Sequence, residues 1–353
     1  MIAWSTAEKV ARGVISTFPK EDPRVLKAME CSLTEFAPIA LELVQTASGL
    51  TLDTQIIVVK CTSRYEWVQA NATSMSALLD PLMGKMSKSF TKPMVSIGAH
   101  AGAVQFGLLF AWMSRRVLGQ YDAALFANST STDGTVPPIY MVGANISSLE
   151  EKFGFPRAQF ERWVLLHELT HKLQFEAVPW MQQYYTDLIS RLLGGLNLGP
   201  SEIFDAITRV VEDLRDGRNP IGDAGLVGLF VDADQREALS KLGGLMSVLE
   251  GHGDLIMSRA AVGVITESDR FEEVLHKRRE SPSVFNKLIS QLLGLDAKIR
   301  QYEEGRKFLE AIELAGGTSA VMTLFESSDN FPDLGEISAP DMWLSRVIRP
   351  AKK

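Results

Sequence analysis

Cysteine, histidine and positive charge are all scarce in this chain of 353 residues. Its two cysteines, Cys31 and Cys61, do not form a Cys-x-x-Cys pair. That excludes a disulfide-stapled secreted domain and a zinc cluster built on thiolates, and both are expected as reduced, buried thiols. Lys and Arg number 36 against 43 Asp and Glu, a net charge of −7. With no basic stripe of interleaved aromatics either, nucleic acid is not an expected partner. The first residues, MIAWSTAEKVARG, lack a basic segment followed by an apolar run. No signal peptide is therefore expected, and the expected location is cytoplasmic. Internal repeats, low-complexity blocks and nucleotide or flavin fingerprints are also missing.

A single long run is free of charge, residues 93–114, PMVSIGAHAGAVQFGLLFAWMS. It has the length of a membrane span. It also holds His100, Gln105 and closely spaced glycines and alanines, and no second such run accompanies it. Small residues at this spacing suit a tightly packed core helix. A buried helix is expected here, not membrane contact, with His100 as a satisfied core histidine.

What the chain does contain is His-Glu-Leu-Thr-His at 167–171, an HExxH motif. On a helix, His167 and His171 project from the same face. Two imidazoles at that spacing can take two positions of a tetrahedral zinc, and Glu168 beside them can serve as general base. A chance match arises on the order of once per hundred chains of this length, so the surroundings must carry the argument. They read PRAQFERWVLLHELTHKLQFE from Pro156 to Glu176. Pro156 suits the first turn of a helix. Phe160, Trp163, Val164 and His167 form a stripe at helical spacing that continues to His171 and Gln174, and four leucines cover much of the rest. Such a helix is buried. Buried histidines beside a carboxylate call for a metal.

A catalytic zinc needs a third protein ligand. The metzincin pattern would require Gly at 174 and His at 177; the chain has Gln174 and Ala177. The remaining common solution is a Glu on a later helix with an acid four residues on. Two segments offer it, Glu212 to Asp216 and Glu250 to Asp254. Glu212 stands among Arg209, Arg215 and Arg218 on a solvated face. Glu250 and Asp254 are the only carboxylates between Lys241 and Arg259, set among Leu, Met, Val and Ile. Buried acids are costly unless paired or metal-bound. Glu250 is thus the expected ligand and Asp254 the acid that orients a ligand histidine. Gly251 and Gly253 let another helix approach closely. His252 is the alternative ligand, although it projects about 200° from Glu250 on a regular helix.

The stretches RYEWVQAN (64–71), VLGQYD (117–122), YMVGANI (140–146), FERWVLLHELTHKLQFEAVPW (160–180), LEGHGDLIM (249–257), HKRRES (276–281) and LLGLDAKIRQYEEGRKF (292–308) carry a resemblance. Together they are similar to the zincin-like metallopeptidase family of actinobacteria and Chloroflexus-type bacteria. Its members are described as candidate hydrolases or as proteins associated with biosynthesis of a deazaflavin coenzyme. The resemblance implies a zincin-type metal site with His167, His171 and a Glu from the EGHGD segment, and Zn²⁺ as cofactor.

The expected fold is α+β, mainly α, as a single zincin-like domain over 1–353. Its lobes would be 1–180, with the HExxH helix and a small β-sheet, and 181–353, helical and supplying the third ligand across a zinc cleft. One or two amphipathic helices are expected over 7–47, broken near Pro19 and Pro23. Strands are expected at 54–61 and 139–146, with a helix between them from Tyr65 to Leu79. The second strand is either a scaffold strand or the edge on which zincins lay an extended substrate. Trp343 should anchor the C-terminal tail. The expected chemistry is hydrolysis of a peptide or small amide, with Glu168 moving the proton. Tyr302, His252 and Arg300 are candidate donors to the oxyanion. A non-peptide amide or ester hydrolase, or a silent partner-binding module, are the alternatives.

Overall fold

The structure, a computed structural model, describes residues 2–19, 22–53, 56–86, 92–121, 136–194, 233–280 and 296–349. The chain is mainly helical with one small sheet, and it divides into two units. The first comprises Met1–Ala177 and Ile256–Phe271, the second Val178–Leu255 and Glu272–Lys353.

The first unit opens with helices α1 (Trp4–Ile15) and α2 (Pro23–Ser48). The break falls where proline was expected to put it. Asp22 caps α2 by accepting the N–H of Arg24 at 2.9 Å, and Pro23 occupies the first turn, where its missing N–H costs nothing. Gly49 ends the helix at φ 74°, the left-handed geometry that glycine adopts most easily. Strand β1 (Val59–Thr62) and α3 (Arg64–Met86) follow. The expected strand at 54–61 thus starts later, and Thr54 and Gln55 lie outside the described residues. Ile56 is exposed; β-branched propensity makes a strand only where a partner is available, and pairing begins at Val59.

The uncharged run forms α4 (Lys92–Met113). Ala103, Phe110 and Ala111 are buried, while Val104 and Leu108 are partly exposed; the side chain of His100 lies outside the described residues. A Cβ at Gly107 would come within 2.5 Å of the Ala7 carbonyl oxygen, so a glycine is what allows α1 and α4 to pack so closely. Strand β2 (Gly119–Tyr121) and strand β3 (Ile139–Val142) complete the sheet, in the order β1-β3-β2. β3 pairs parallel with β1 (Val59↔Ile139) and antiparallel with β2 (Gly119↔Met141).

The expected strand at 139–146 therefore ends at Val142, and Gly143 begins helix α5 (Gly143–Phe153). Apolar Ala144 and Ile146 are buried on a helix as readily as on a strand, so the pattern did not discriminate. β3 is also the central strand, with no free edge for a substrate. Helix α6 (Arg157–Glu176), capped by Pro156, carries the HExxH motif and is buried along most of its length. Phe155, Phe160, Trp163 and Phe271 interlock around its first turns with centroids 4.8–6.1 Å apart.

The second unit contains α7 (Met181–Gly194), most of α8 (Ala233–Ala261), most of α9 (Ser268–Glu280) and α10 (Asp296–Glu326). α8 is one helix; it belongs to this unit up to Leu255 and to the first from Ile256. Gly251 does permit a close approach. A Cβ there would lie 2.5 Å from Arg306 N on α10, and a Cβ at Gly305 would overlap the Ser247 carbonyl. The tail is anchored as expected: Trp343 is buried and donates to the Asn330 carbonyl at 2.6 Å. Among the described residues, Glu304–Glu326 of α10 is long and apolar enough to cross a membrane by length and composition. Gly317 interrupts it at φ 70°, ψ −173°. Phe308, Leu309 and Ile312 pack into the unit's core.

Candidate metal centre

α6 sets the site. The Nε2 atoms of His167 and His171 face each other at 3.1 Å, with the rings nearly perpendicular at 87°. Two ring nitrogens this close need a shared proton or a cation between them. Two nitrogens on one tetrahedral zinc would stand about 3.3 Å apart, so the rings already hold the required spacing. His171 Nδ1 is 2.8 Å from Gln174 Oε1. An amide oxygen only accepts, so a proton on Nδ1 makes this a hydrogen bond and leaves the Nε2 lone pair for a metal. Gln174 is fully buried.

Glu250 of α8 completes the group: one ligand atom each from His167, His171 and Glu250 lie within 4.8 Å of one another. Two imidazoles and one carboxylate are the donor set of a catalytic zinc. The geometry and donor chemistry fit the metal that the motif implies. Asp254 follows one turn after Glu250, half-buried. His252 is fully buried and leans on Phe325, ring centroids 4.9 Å apart. Glu212 and Asp216 lie outside the described residues, as do the side chains of Tyr302 and Arg300.

Glu168 is buried, and its Oε2 accepts the backbone N–H of Tyr121 at 3.1 Å. Tyr121 also donates its hydroxyl to Glu176 Oε1 at 2.9 Å, and Glu176 pairs with the fully buried Lys172 at 2.5 Å. β2 was not anticipated as a strand, since Gly-Gln-Tyr is short and carries no alternation. Gln174 was read only as a continuation of the apolar stripe. The motif stretches before the metal helix serve β2 and its approach. Trp67 Nε1 donates to Gln120 at 2.7 Å, and Gln120 donates to Asn71 at 3.0 Å. Asn145 donates to the carbonyls of Ser114 and Val117, both at 2.7 Å, and accepts from Arg64 Nε at 2.9 Å.

Further acids are buried on the same unit. Burial pushes Glu150 up to about 7, the nearby Glu161 charge adds to this, and Arg157 at 3.8 Å opposes it. Burial also raises Glu161. The cysteines are both free; Cys31 is exposed, contrary to expectation. Burial, then the charges of Glu30 and Glu161, push the Cys61 thiol up to about 12.

No curated protein matches the chain. Among solved structures, a candidate hydrolase with a novel fold from Chloroflexus aurantiacus superposes with a TM-score of 0.71 at 24% identity. The match covers 99% of this chain and 100% of that one, and it establishes a shared fold. The sequence profile of the zincin-like metallopeptidases matches residues 2–344. Carrying that profile over nearly its whole length, with the His-His-Glu group in place, this chain belongs to the zincin-like metallopeptidase family.

Proposed function

We propose that the protein is a zinc-dependent hydrolase that cleaves an amide bond. The observation that carries this reading is the convergence of His167, His171 and Glu250 within 4.8 Å, with the buried Glu168 next to the first of them. Those three residues would hold the zinc. When bound, zinc supplies Lewis acidity that polarises a carbonyl and acidifies a water. Glu168 takes a proton from the attacking water and returns it to the leaving amine. Gln174 keeps His171 in the ligating tautomer through the 2.8 Å contact. Asp254 is the proposed partner of a ligand histidine. Tyr302 is the proposed donor to the oxyanion; its backbone lies one turn before Gly305, where α10 meets Gly251 of α8. The C. aurantiacus relative's description as a candidate hydrolase is consistent with this reading.

One observation favours a small substrate over an extended peptide. The sheet edge nearest the motif is β2, three residues long, and its Tyr121 N–H is engaged by Glu168. A peptide adding a strand there would compete for that donor. The substrate class best suited is a short amide or ester.

The test uses zinc-loaded protein against amino-acyl p-nitroanilides, longer peptidyl p-nitroanilides and p-nitrophenyl esters, with Glu168→Gln as control. Turnover is expected on at least one short substrate. Glu168→Gln should keep its zinc and lose on the order of 10²–10⁴-fold in rate, since an amide does not accept the proton. Equal rates in the metal-loaded variant would remove Glu168 from the mechanism.

A further inference from the structure

Glu168 lies against bare backbone. A Cβ added at Gly119 would come within 2.5 Å of Glu168 Cγ, 2.7 Å of Oε1 and 2.8 Å of Cδ. Gly119 does not have a positive φ, so conformation does not demand glycine at this position. The space occupied by Glu168 does. The neighbouring Tyr121 supplies the N–H that anchors Oε2 at 3.1 Å.

β2 is itself fastened on two sides. Gln120 is tied to Trp67 and Asn71 of α3. The Tyr121 hydroxyl is tied to Glu176, two turns beyond Glu168 on α6, and Lys172 holds Glu176 in turn. Tyr121 therefore grips the metal helix at two points, through its backbone and through its phenol. A strand of three residues with little ladder of its own is made rigid by these contacts. Rigidity matters because a base displaced by about 1 Å loses on the order of 10²-fold in rate.

We propose that β2 is the seat of the general base, with Gly119 supplying the room and the Tyr121 N–H the anchor, so that both are positioning residues for Glu168. This rests on the reading of Glu168 as the base. The three nearest atoms that an added methyl would meet all belong to the Glu168 side chain. Gly119→Ala is therefore the probe, expected to turn Glu168 aside while the metal ligands stay in place.

Two measurements test the seat. In the first, Co²⁺ is loaded in place of zinc and its visible absorption is recorded for wild type, Gly119→Ala and Glu168→Gln. Gly119→Ala should bind Co²⁺ within about threefold of wild type and shift the band in the same direction as Glu168→Gln. On any p-nitroanilide that the wild type cleaves, kcat should fall roughly 10–100-fold with KM unchanged. A spectrum superimposable on wild type overturns the proposal. The second measurement needs no metal. Gly119→Ala should lower the melting temperature in wild type and not in a Glu168→Ala background, where the obstructing carboxylate is gone. An equal loss in both backgrounds, or a double variant that stays unfolded, overturns the seat. Failure of the wild type to take up Co²⁺ or Zn²⁺ would instead sink the metal-centre reading, and the melting comparison would still decide whether β2 holds Glu168.

Discussion

Gln174 holds the outer nitrogen of His171, with Oε1 2.8 Å from Nδ1. The two residues sit three apart on α6, one turn of helix. Gln174 is thus built into the same helix as the histidine it contacts. Gln174→Ala should cost roughly 10–100-fold in zinc affinity, the usual penalty for removing a partner of a ligating histidine. Chelator competition measures it. Unchanged affinity would mean that the ring is oriented by its packing alone.

What the sequence revealed and what it hid divide along physical lines. The shared face of His167 and His171 was legible because a helix converts i,i+4 spacing directly into one. Glu250 was legible because an acid isolated among apolar residues needs a reason to be there. Gly251 followed from the same stretch, since its missing side chain admits Gly305 and Arg306. β2 was not legible. Its three residues hold their place through Trp67, Asn71 and Glu176, which lie far away in sequence. The extent of β3 was misjudged because Gly143 to Ile146 buries its apolar residues on a helix. Periodicity reports burial well and the backbone's choice of partner poorly.

The third ligand can be separated from its competitors by substitution. Glu250→Gln should weaken zinc binding sharply, because Glu250 is the carboxylate grouped with the two histidines. His252→Ala should leave zinc binding nearly unchanged and cost stability instead, since its ring is buried against Phe325. Asp254→Asn should show an intermediate loss, about 10–100-fold, and Glu212→Gln none. Loss of metal from His252→Ala with Glu250→Gln intact would reverse the assignment.

The two thiols should differ in reactivity. Cys31 is exposed, whereas Cys61 is partly buried with its thiol pushed up to about 12. At pH 8 its thiolate fraction is on the order of a thousandfold below that of an ordinary thiol. Iodoacetamide on the native protein should modify Cys31 first and leave Cys61 until the chain is unfolded. Mass spectrometry after brief labelling reads this directly, and equal labelling of both would contradict the burial of Cys61.

Glu150 predicts a pH dependence of stability opposite to that of an ion-paired carboxylate. Its folded value, pushed up to about 7, stands above the ordinary 4.5. Below about pH 4.5 the group is protonated in both states and adds no penalty. As pH rises toward 7, the unfolded chain releases the proton while the folded chain retains it, so stability falls; above 7 the deficit is constant. The full deficit amounts to about 3 kcal/mol at most. Glu150→Gln removes this slope, and the cost of burying an amide is independent of pH, so it cancels in the comparison. The melting temperature of Glu150→Gln relative to wild type should therefore rise steadily between pH 4.5 and 7 and then level off. Glu161 is raised by its own burial, and its charge adds to the Glu150 shift, so the difference reports Glu150 together with that repulsion. A flat difference across that range would mean that Glu150 ionises in the fold as freely as it does in water.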